Sequence, residues 1–197
     1  MFNRLIRRMN PTDVYAAGLR AELGAVGAIF EKSDMEPPAD LLGHFPQAIF
    51  MGAYELFAYR MSFLVDAAGV EMTEKVLVGS RVVPVDVEIE DWKVYEGELG
   101  EKVLLLCQPF RHDWSVTILT NSLPFSLALQ RASVSPPAPW CVLREFDPGS
   151  LGSLQGDAEF YWQNYWRPFW AVASLGQKQR VLDEAPPPWR EFIELHD

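Results

Sequence analysis

The sequence predicts an α+β fold, in which a mixed sheet with helices is followed by an aromatic-rich helical part at the C-terminal end. Hydrophobic residues make up 49% of the 197 residues and charged residues 22%, a composition typical of a globular chain with a sizeable core. Side chains alternate with period two from Val82 to Ile89, whereas other segments repeat their apolar residues at helical spacing. Strands alternate with helices only in the middle of the chain. This pattern favours an α+β domain over 1–150, with a helical extension over 151–197 packed on it.

The stretch from residue 49 to residue 90 organises this prediction. It begins with a short apolar strand and a turn at Met51-Gly52, and continues as a long helix. Apolar residues recur in that helix every three or four positions, and a glycine stands where a helix C-terminus favours a left-handed residue. The apolar stripe comprises Leu56, Tyr59, Phe63 and Ala67, the helix ends at Gly69, and the return strand is Val82–Ile89.

The positions of proline, glycine and helix-capping residues predict where the flanking helices, strands and loops begin and end. Before the stretch, we expect a helix, a strand and a Pro-Pro loop at Val14–Leu23, Val26–Phe30 and 31–46. After it, we expect a charged loop or hairpin at 91–102 and strands at Val103–Gln108 and Ser115–Thr120. A helix at Leu123–Ala132, capped by Asn121 or Ser122, and a strand at Trp140–Glu145 follow. The chain then continues with a flexible segment at 147–155, an aromatic helix over 160–170 that Pro168 interrupts or kinks, and a last helix at Pro188–Leu195.

Charge and cysteine usage limit the function classes. The formal net charge is −10, so we do not expect nucleic-acid binding through a broad electrostatic footprint. Cys107 and Cys141 have neither metal-ligand nor redox spacing, which favours reduced thiols in the cytoplasm. No apolar run approaches the ~20 residues of a membrane span. The basic arm with Arg4, Arg7 and Arg8 is interpreted as a solvated segment, or alternatively as a peripheral contact with acidic lipid at the inner membrane.

A strand, a glycine turn and a helix N-terminus together predict an anion site at Gly52 and Ala53, because free backbone amides and the helix dipole converge there. Glu55, in the predicted first turn, is the candidate for orienting a water or holding a metal; the alternative is a carboxylate that complements the helix dipole. Arg60 and Arg81 are candidate phosphate clamps, or surface and ion-paired arginines.

Asp86 and Glu88 lie on one side of the predicted return strand and are the candidate metal ligands, although such alternation is more often a solvated face. The histidines lack zinc-ligand spacing. His112-Asp113 is the place where a base adjoins an acid, but adjacent residues seldom face each other. The aromatic stripe over 160–170 fits packing onto the core, with a partner surface as the alternative.

The organising stretch resembles the ParB/sulfiredoxin fold, which predicts a ParB/sulfiredoxin-like mixed sheet. The resemblance rests on a strand leading into a glycine, a helix end rich in alanine and glycine, and a return strand with a Pro-Val step. These segments are Ala48-Ile49-Phe50-Met51-Gly52, Asp66-Ala67-Ala68-Gly69-Val70 and Val83-Pro84-Val85. The chain departs from the family after the glycine, where Ala53-Tyr54-Glu55 replace its basic or thiol residues.

As a whole, the chain resembles plasmid fertility-inhibition proteins of the oncogenic-suppression (Osa) type. The resemblance implies a cytoplasmic factor that blocks conjugative or T-DNA transfer through a type IV secretion system, with ATPase and DNase activity, ATP and Mg²⁺ as cofactors and DNA among its partners. The alternative is a non-enzymatic inhibitor that binds the secretion coupling protein or relaxosome. A metabolic enzyme is a third hypothesis.

Overall fold

A computed structural model describes residues 29–30, 41, 43–54, 56–89, 91–150 and 154–196 of the chain. Several predictions from the sequence lie outside these residues. They are the basic arm at Arg4, Arg7 and Arg8, the helix Val14–Leu23, most of the strand Val26–Phe30, most of the loop 31–46, and the candidate residue Glu55.

The described residues form an α+β structure built on a six-stranded, open, antiparallel sheet. The strand order is β1-β2-β6-β5-β4-β3, so β3 to β6 form a meander and β2 pairs with its last strand. The α+β prediction is confirmed at this level. The mixed sheet implied by the family resemblance is wrong, because every strand pair among the described residues is antiparallel. The strands are β1 (Ile49–Phe50), β2 (Tyr59–Val65), β3 (Val83–Ile89), β4 (Trp92–Glu96), β5 (Lys102–Phe110) and β6 (Asp113–Thr120).

Strand β2 occupies the segment for which the sequence predicts a helix, and that prediction is wrong. Met61 pairs with Ile118 of β6 and Phe63 with Val116, in a regular antiparallel register. The segment satisfies both periods, because Tyr59 and Phe63 are four positions apart and also share one side of a strand. Pairing with β6 selects the strand, which is a tertiary effect that local periodicity does not contain.

Helix α1 (Ala67–Gly79) begins where the predicted helix was expected to end. Asp66 is its N-cap, and Gly69, the expected C-terminal glycine, lies in its first turn. The helix ends at Ser80, whose amide donates to the Val76 and Leu77 carbonyls at 2.9 and 3.1 Å. Helix α1 therefore carries the chain from β2 across to β3 at the far edge of the sheet.

The predictions from residue 82 onward are mostly confirmed. The return strand, the hairpin and the two apolar strands correspond to β3, β4, β5 and β6, and α2 (Leu123–Arg131) has Ser122 as its N-cap. The strand predicted at Trp140–Glu145 is wrong, because Pro139 starts a short helix there, α3 (Pro139–Val142). Its turn is closed by the Leu143 amide, which donates to the Pro139 carbonyl at 2.8 Å.

The C-terminal part is helical as predicted, and its aromatic residues other than Phe160 are buried. Helix α4 (Asp157–Tyr161) continues through a π-helical turn (Trp162–Trp166) into α5 (Arg167–Val172). Because Pro168 has no amide hydrogen for the preceding turn, a local change of helical winding is expected close to it. The remaining helices are α6 (Leu175–Glu184) and α7 (Pro187–Leu195), and the last one confirms the predicted terminal helix.

The core consists of two clusters. The larger joins buried residues of the central strands, such as Met61, Phe63 and Ile118, to α2 and to the aromatic residues of the C-terminal helices, including Trp166. The packing interpretation of the aromatic stripe is thus confirmed for all but Phe160, which remains 49% exposed. The smaller cluster contains sheet residues of the opposite parity, Leu104, Leu119 and Val94, together with Phe30, Met51 and Leu56. The domain boundary at residue 150 stays a prediction.

Within the described residues, no helix combines the length and the apolar character needed to cross a membrane.

Candidate functional site

The turn at Gly52 is a single 3₁₀ turn (Gly52–Tyr54) that leads into a strand. The Tyr54 amide donates to the Met51 carbonyl at 2.8 Å, and the Leu56 amide reaches the same oxygen at 3.4 Å. The Met51 amide in turn donates to the Ala58 carbonyl at 2.9 Å. These bonds engage the amides of Tyr54 and Leu56 and both backbone polar groups of Met51. The helix whose dipole was expected at this point is not present.

The structure gives Gly52 a packing role. A Cβ atom at this position would lie 2.3 Å from Cε1 of the Phe50 ring, so the ring covers the side of the turn where a side chain would project. The same ring packs against Tyr59 at 5.7 Å between ring centroids. Ala53 is exposed beside it. Phosphate binding at Gly52 and Ala53 stays a prediction that lacks the helix on which it depended.

Arg60 lies in β2, next to the β1 residue Ile49 and the β6 residue Leu119. Its side chain is half-buried. Among the described residues, its guanidinium has no hydrogen bond and no ion pair. It does act electrostatically on Tyr165, whose pKa is raised by burial and lowered in part by a hydrogen bond with Ser115 and by Arg60.

The sheet separates Arg60 from the other predicted site residues. Arg81 adopts a left-handed backbone conformation with φ of 58° and is exposed. It lies just after the end of α1. Asp86 and Glu88 lie on β3, where Asp86 is exposed. Three strands stand between β2 and β3, which places the two strands about 19 Å apart at the usual spacing. Arg60 therefore does not share one site with Arg81, Asp86 and Glu88.

The pairing of β2 with β6 also creates a carboxylate pair that the sequence does not reveal. Burial raises the pKa of Asp113, and the negative charge of Asp66 raises it further, while His112 and Arg144 lower it. Asp66 and Asp113 are distant in sequence but flank the paired residues Val65 and Trp114. No periodic signal could have brought them together. Within the described parts of the chain, no group of three His, Cys, Asp or Glu residues is arranged to hold a metal ion.

A row of polar side chains on the central strands is a second feature that the sequence analysis missed. Ser62 Oγ lies 3.5 Å from Thr117 Oγ1, and Ser115 Oγ lies 2.8 Å from the Tyr165 hydroxyl. By strand register, Ser62, Thr117, Ser115 and Arg60 share one face of the sheet, and each is half-buried. We call this row, Arg60, Ser62, Ser115 and Thr117, the polar strip. Alternation within β6 could have suggested it only if β2 had been recognised as a strand.

Comparison with known proteins adds no relative: no family model, no curated protein and no solved structure matches the chain.

Proposed function

We propose that this protein acts by binding, as an inhibitor of conjugative or T-DNA transfer that contacts the type IV secretion coupling protein or the relaxosome. Its sheet would then be a variant of the ParB/sulfiredoxin-like fold. The proposal builds on the resemblance of three segments, the strand that leads into Gly52, the segment Asp66–Val70 and the strand around Val83-Pro84-Val85. The first of these segments contains strand β1, and the third forms the start of strand β3.

The observation that favours binding over catalysis is the replacement of the expected helix by β2. The enzymatic form of the hypothesis needs a helix N-terminus behind Gly52 to hold phosphate groups. In its place, a single 3₁₀ turn ends at Tyr54 and strand β2 begins at Tyr59, while the Phe50 ring covers Gly52. A binding inhibitor does not need that site.

The edge strand β3 is the surface that best fits a protein partner. Val83 and Val87 are 62% and 47% exposed, and the acidic side chains of Asp86 and Asp91 are exposed beside them. Among the described residues, β3 pairs with β4 alone. Because the chain has a formal net charge of −10, a basic surface would be attracted to this edge. The same acidic charge opposes pairing of two copies through β3.

The enzymatic form, with hydrolysis of ATP in the presence of Mg²⁺ and cleavage of DNA, is the second candidate. The observation that favours it is the half-buried guanidinium of Arg60, which has no partner among the described residues and could bind a phosphate group.

A transfer assay with matched variants separates the two forms. Donor cells would carry the wild type, the double variant Asp86→Lys with Asp91→Lys, Arg60→Gln, or Glu71→Lys as a control for charge reversal on the exposed surface of α1. We expect the β3 variant to lose both transfer inhibition and co-purification with the coupling protein or relaxosome, while the control and Arg60→Gln keep both. Full inhibition by the β3 variant, together with its loss in Arg60→Gln, would refute the binding form and support the enzymatic one.

A further inference from the structure

The two faces of the central strands differ sharply in chemistry. On one face, Met61, Phe63, Val116 and Ile118 are completely buried and apolar. On the other face, the same two strands present the polar strip, whose side chains remain in partial contact with solvent, beside the buried Leu64 and Leu119. Polar residues on central strands are not required by the fold, since leucine at position 119 fits the same face as Arg60. The strip is therefore a feature that calls for a functional explanation.

Arg60 is the one arginine among the described residues that is half-buried, since the others are exposed. Arg111 Nε lies 3.6 Å from Asp157, and Arg167 donates to Gln163 at 2.9 Å. The Arg60 guanidinium has no such contact among the described residues, although its side chain is half-buried. A partly desolvated guanidinium with five unused donors is stabilised when an anion accepts from it.

The hydroxyl groups of the strip lie on the same face of β2 and β6 as Arg60. Ser62 and Thr117 are adjacent across β2 and β6, with 3.5 Å between their hydroxyl oxygens. Arg60 contributes to lowering the pKa of Tyr165, whose hydroxyl meets Ser115 at one end of the strip, so the two groups interact electrostatically. The Ser62 and Thr117 hydroxyls are thus placed between the Arg60 charge and the Tyr165–Ser115 pair.

We propose that the polar strip binds one oxyanion of a small molecule, a phosphate or a carboxylate group. Arg60 donates from its planar fork to two oxygens of the anion, and the Ser62 and Thr117 hydroxyls donate to the remaining oxygens. Leu106, which pairs with Thr117 on the same face, provides an apolar floor for the rest of the ligand.

A small ligand suits this strip better than a nucleic acid. The strip contributes one cation, while the whole chain has a formal net charge of −10. Nucleic-acid binding depends on several phosphate contacts made by several cations, and the general negative charge opposes it. The inference goes beyond the proposed function, because it requires neither a transfer system nor a partner protein.

Titration of the full chain with inorganic phosphate and with citrate, followed by calorimetry and thermal unfolding, tests this inference. Arg167→Gln is the matched control, since Arg167 is exposed and outside the strip. We expect phosphate, citrate or both to bind the wild type and the control, to raise their Tm, and to bind Arg60→Gln at least tenfold more weakly. Arg60→Lys should recover only part of the affinity, because an ammonium group lacks the planar fork.

Three results would overturn the inference. They are the absence of binding of both anions to the wild type, equal affinity of Arg60→Gln and wild type, and tighter Arg60-dependent binding of a short DNA duplex than of either small anion. If Arg60→Gln does not fold, as judged by circular dichroism, the double variant Ser62→Ala with Thr117→Val takes its place and should bind the anion several-fold more weakly; unchanged affinity would overturn the inference. Loss of transfer inhibition in the β3 variant would not affect any of these outcomes, so the two proposals fail separately.

Discussion

The carboxylate of Asp66 accepts a hydrogen bond of 2.8 Å from the Gly69 amide, and this bond caps the first turn of α1. The same two residues were expected near the end of a helix. Asp66 therefore marks the point where the chain leaves the sheet, since β2 ends at Val65 and α1 begins at Ala67. This contact stabilises the strand-to-helix boundary, whereas the position of Arg60 itself is set by the pairing of β2 with β1 and β6.

Removal of the cap should destabilise the protein. We expect Asp66→Ala to lower the free energy of unfolding by about 1 kcal/mol, the usual value of an N-cap side chain. Asp66→Asn should keep most of the stability, because asparagine caps equally well and removes the repulsion between Asp66 and Asp113. Urea unfolding of the two variants measures the difference. Equal stability of Asp66→Ala and wild type would contradict the cap.

Substitution at Gly52 should disturb the Phe50 ring. A Cβ atom there meets the ring at 2.3 Å, so Gly52→Ala must displace it, and we expect a loss of about 1–3 kcal/mol. Gly176→Ala is the control, because no atom lies within 4 Å of its Cβ position and it stands in helix α6. The control should be neutral or stabilising by up to about 1 kcal/mol. Similar stability of both variants in chemical denaturation would show that the Phe50 ring does not pack against position 52.

The central position of β2 predicts a large difference between two phenylalanines. Phe63 is completely buried, and we expect Phe63→Ala to cost about 3–5 kcal/mol through the lost burial and the cavity left behind. Phe160 is 49% exposed, and Phe160→Ala should cost clearly less. Guanidinium unfolding of both variants provides the test. A small effect at Phe63 would place residues 59–65 outside the core.

Stability should fall in alkaline solution because of buried tyrosines. Burial raises the pKa of Tyr161 well above 10.0, and its hydroxyl donates to the Pro137 carbonyl at 2.7 Å. Below pH 10 both states are protonated and the stabilisation is complete. Above pH 10 the unfolded tyrosine loses its proton first, so stability decreases with rising pH.

The variant Tyr161→Phe should therefore be less stable at pH 8 and should lose less stability between pH 9 and pH 11 than the wild type. The free energy of unfolding across that range measures both effects. The variant should still lose some stability as the pH rises, because burial also raises the pKa values of Tyr59, Tyr95 and Tyr165. An unchanged pH dependence in the variant would exclude Tyr161 as a contributor.

The sequence predicted correctly those elements whose residue pattern fits only one type of secondary structure. The run Val103–Gln108 is continuously apolar and became the centre of β5, and Ser122 precedes α2 as its cap. The segment with Tyr59 and Phe63 failed because its apolar residues fit a helix stripe as well as one side of a strand. Only pairing with β6 decides between these readings, and pairing depends on residues more than fifty positions away.

The candidate site was predictable only in part, for the same reason. Arg60 was identified from its residue type, but its neighbours Ser62, Thr117 and Ser115 follow from strand register. The expected combination of Arg60 with Gly52 assumed a helix between them. Because β2 is a strand, Arg60 shares a face of the sheet with Leu119 and the smaller core cluster, while Asp86 lies on the far edge strand and Arg81 just before it.

The central claim is that residues 59–65 form a central strand that places Arg60 on the sheet. Nuclear magnetic resonance of the labelled protein tests it most directly, through backbone chemical shifts and proton contacts over residues 53–68. We predict strand-type shifts for 59–65 and cross-strand contacts between the backbones of Met61 and Ile118, which are register partners. Helical shifts with consecutive amide–amide contacts over 53–68, and no contact between Met61 and Ile118, would contradict the account.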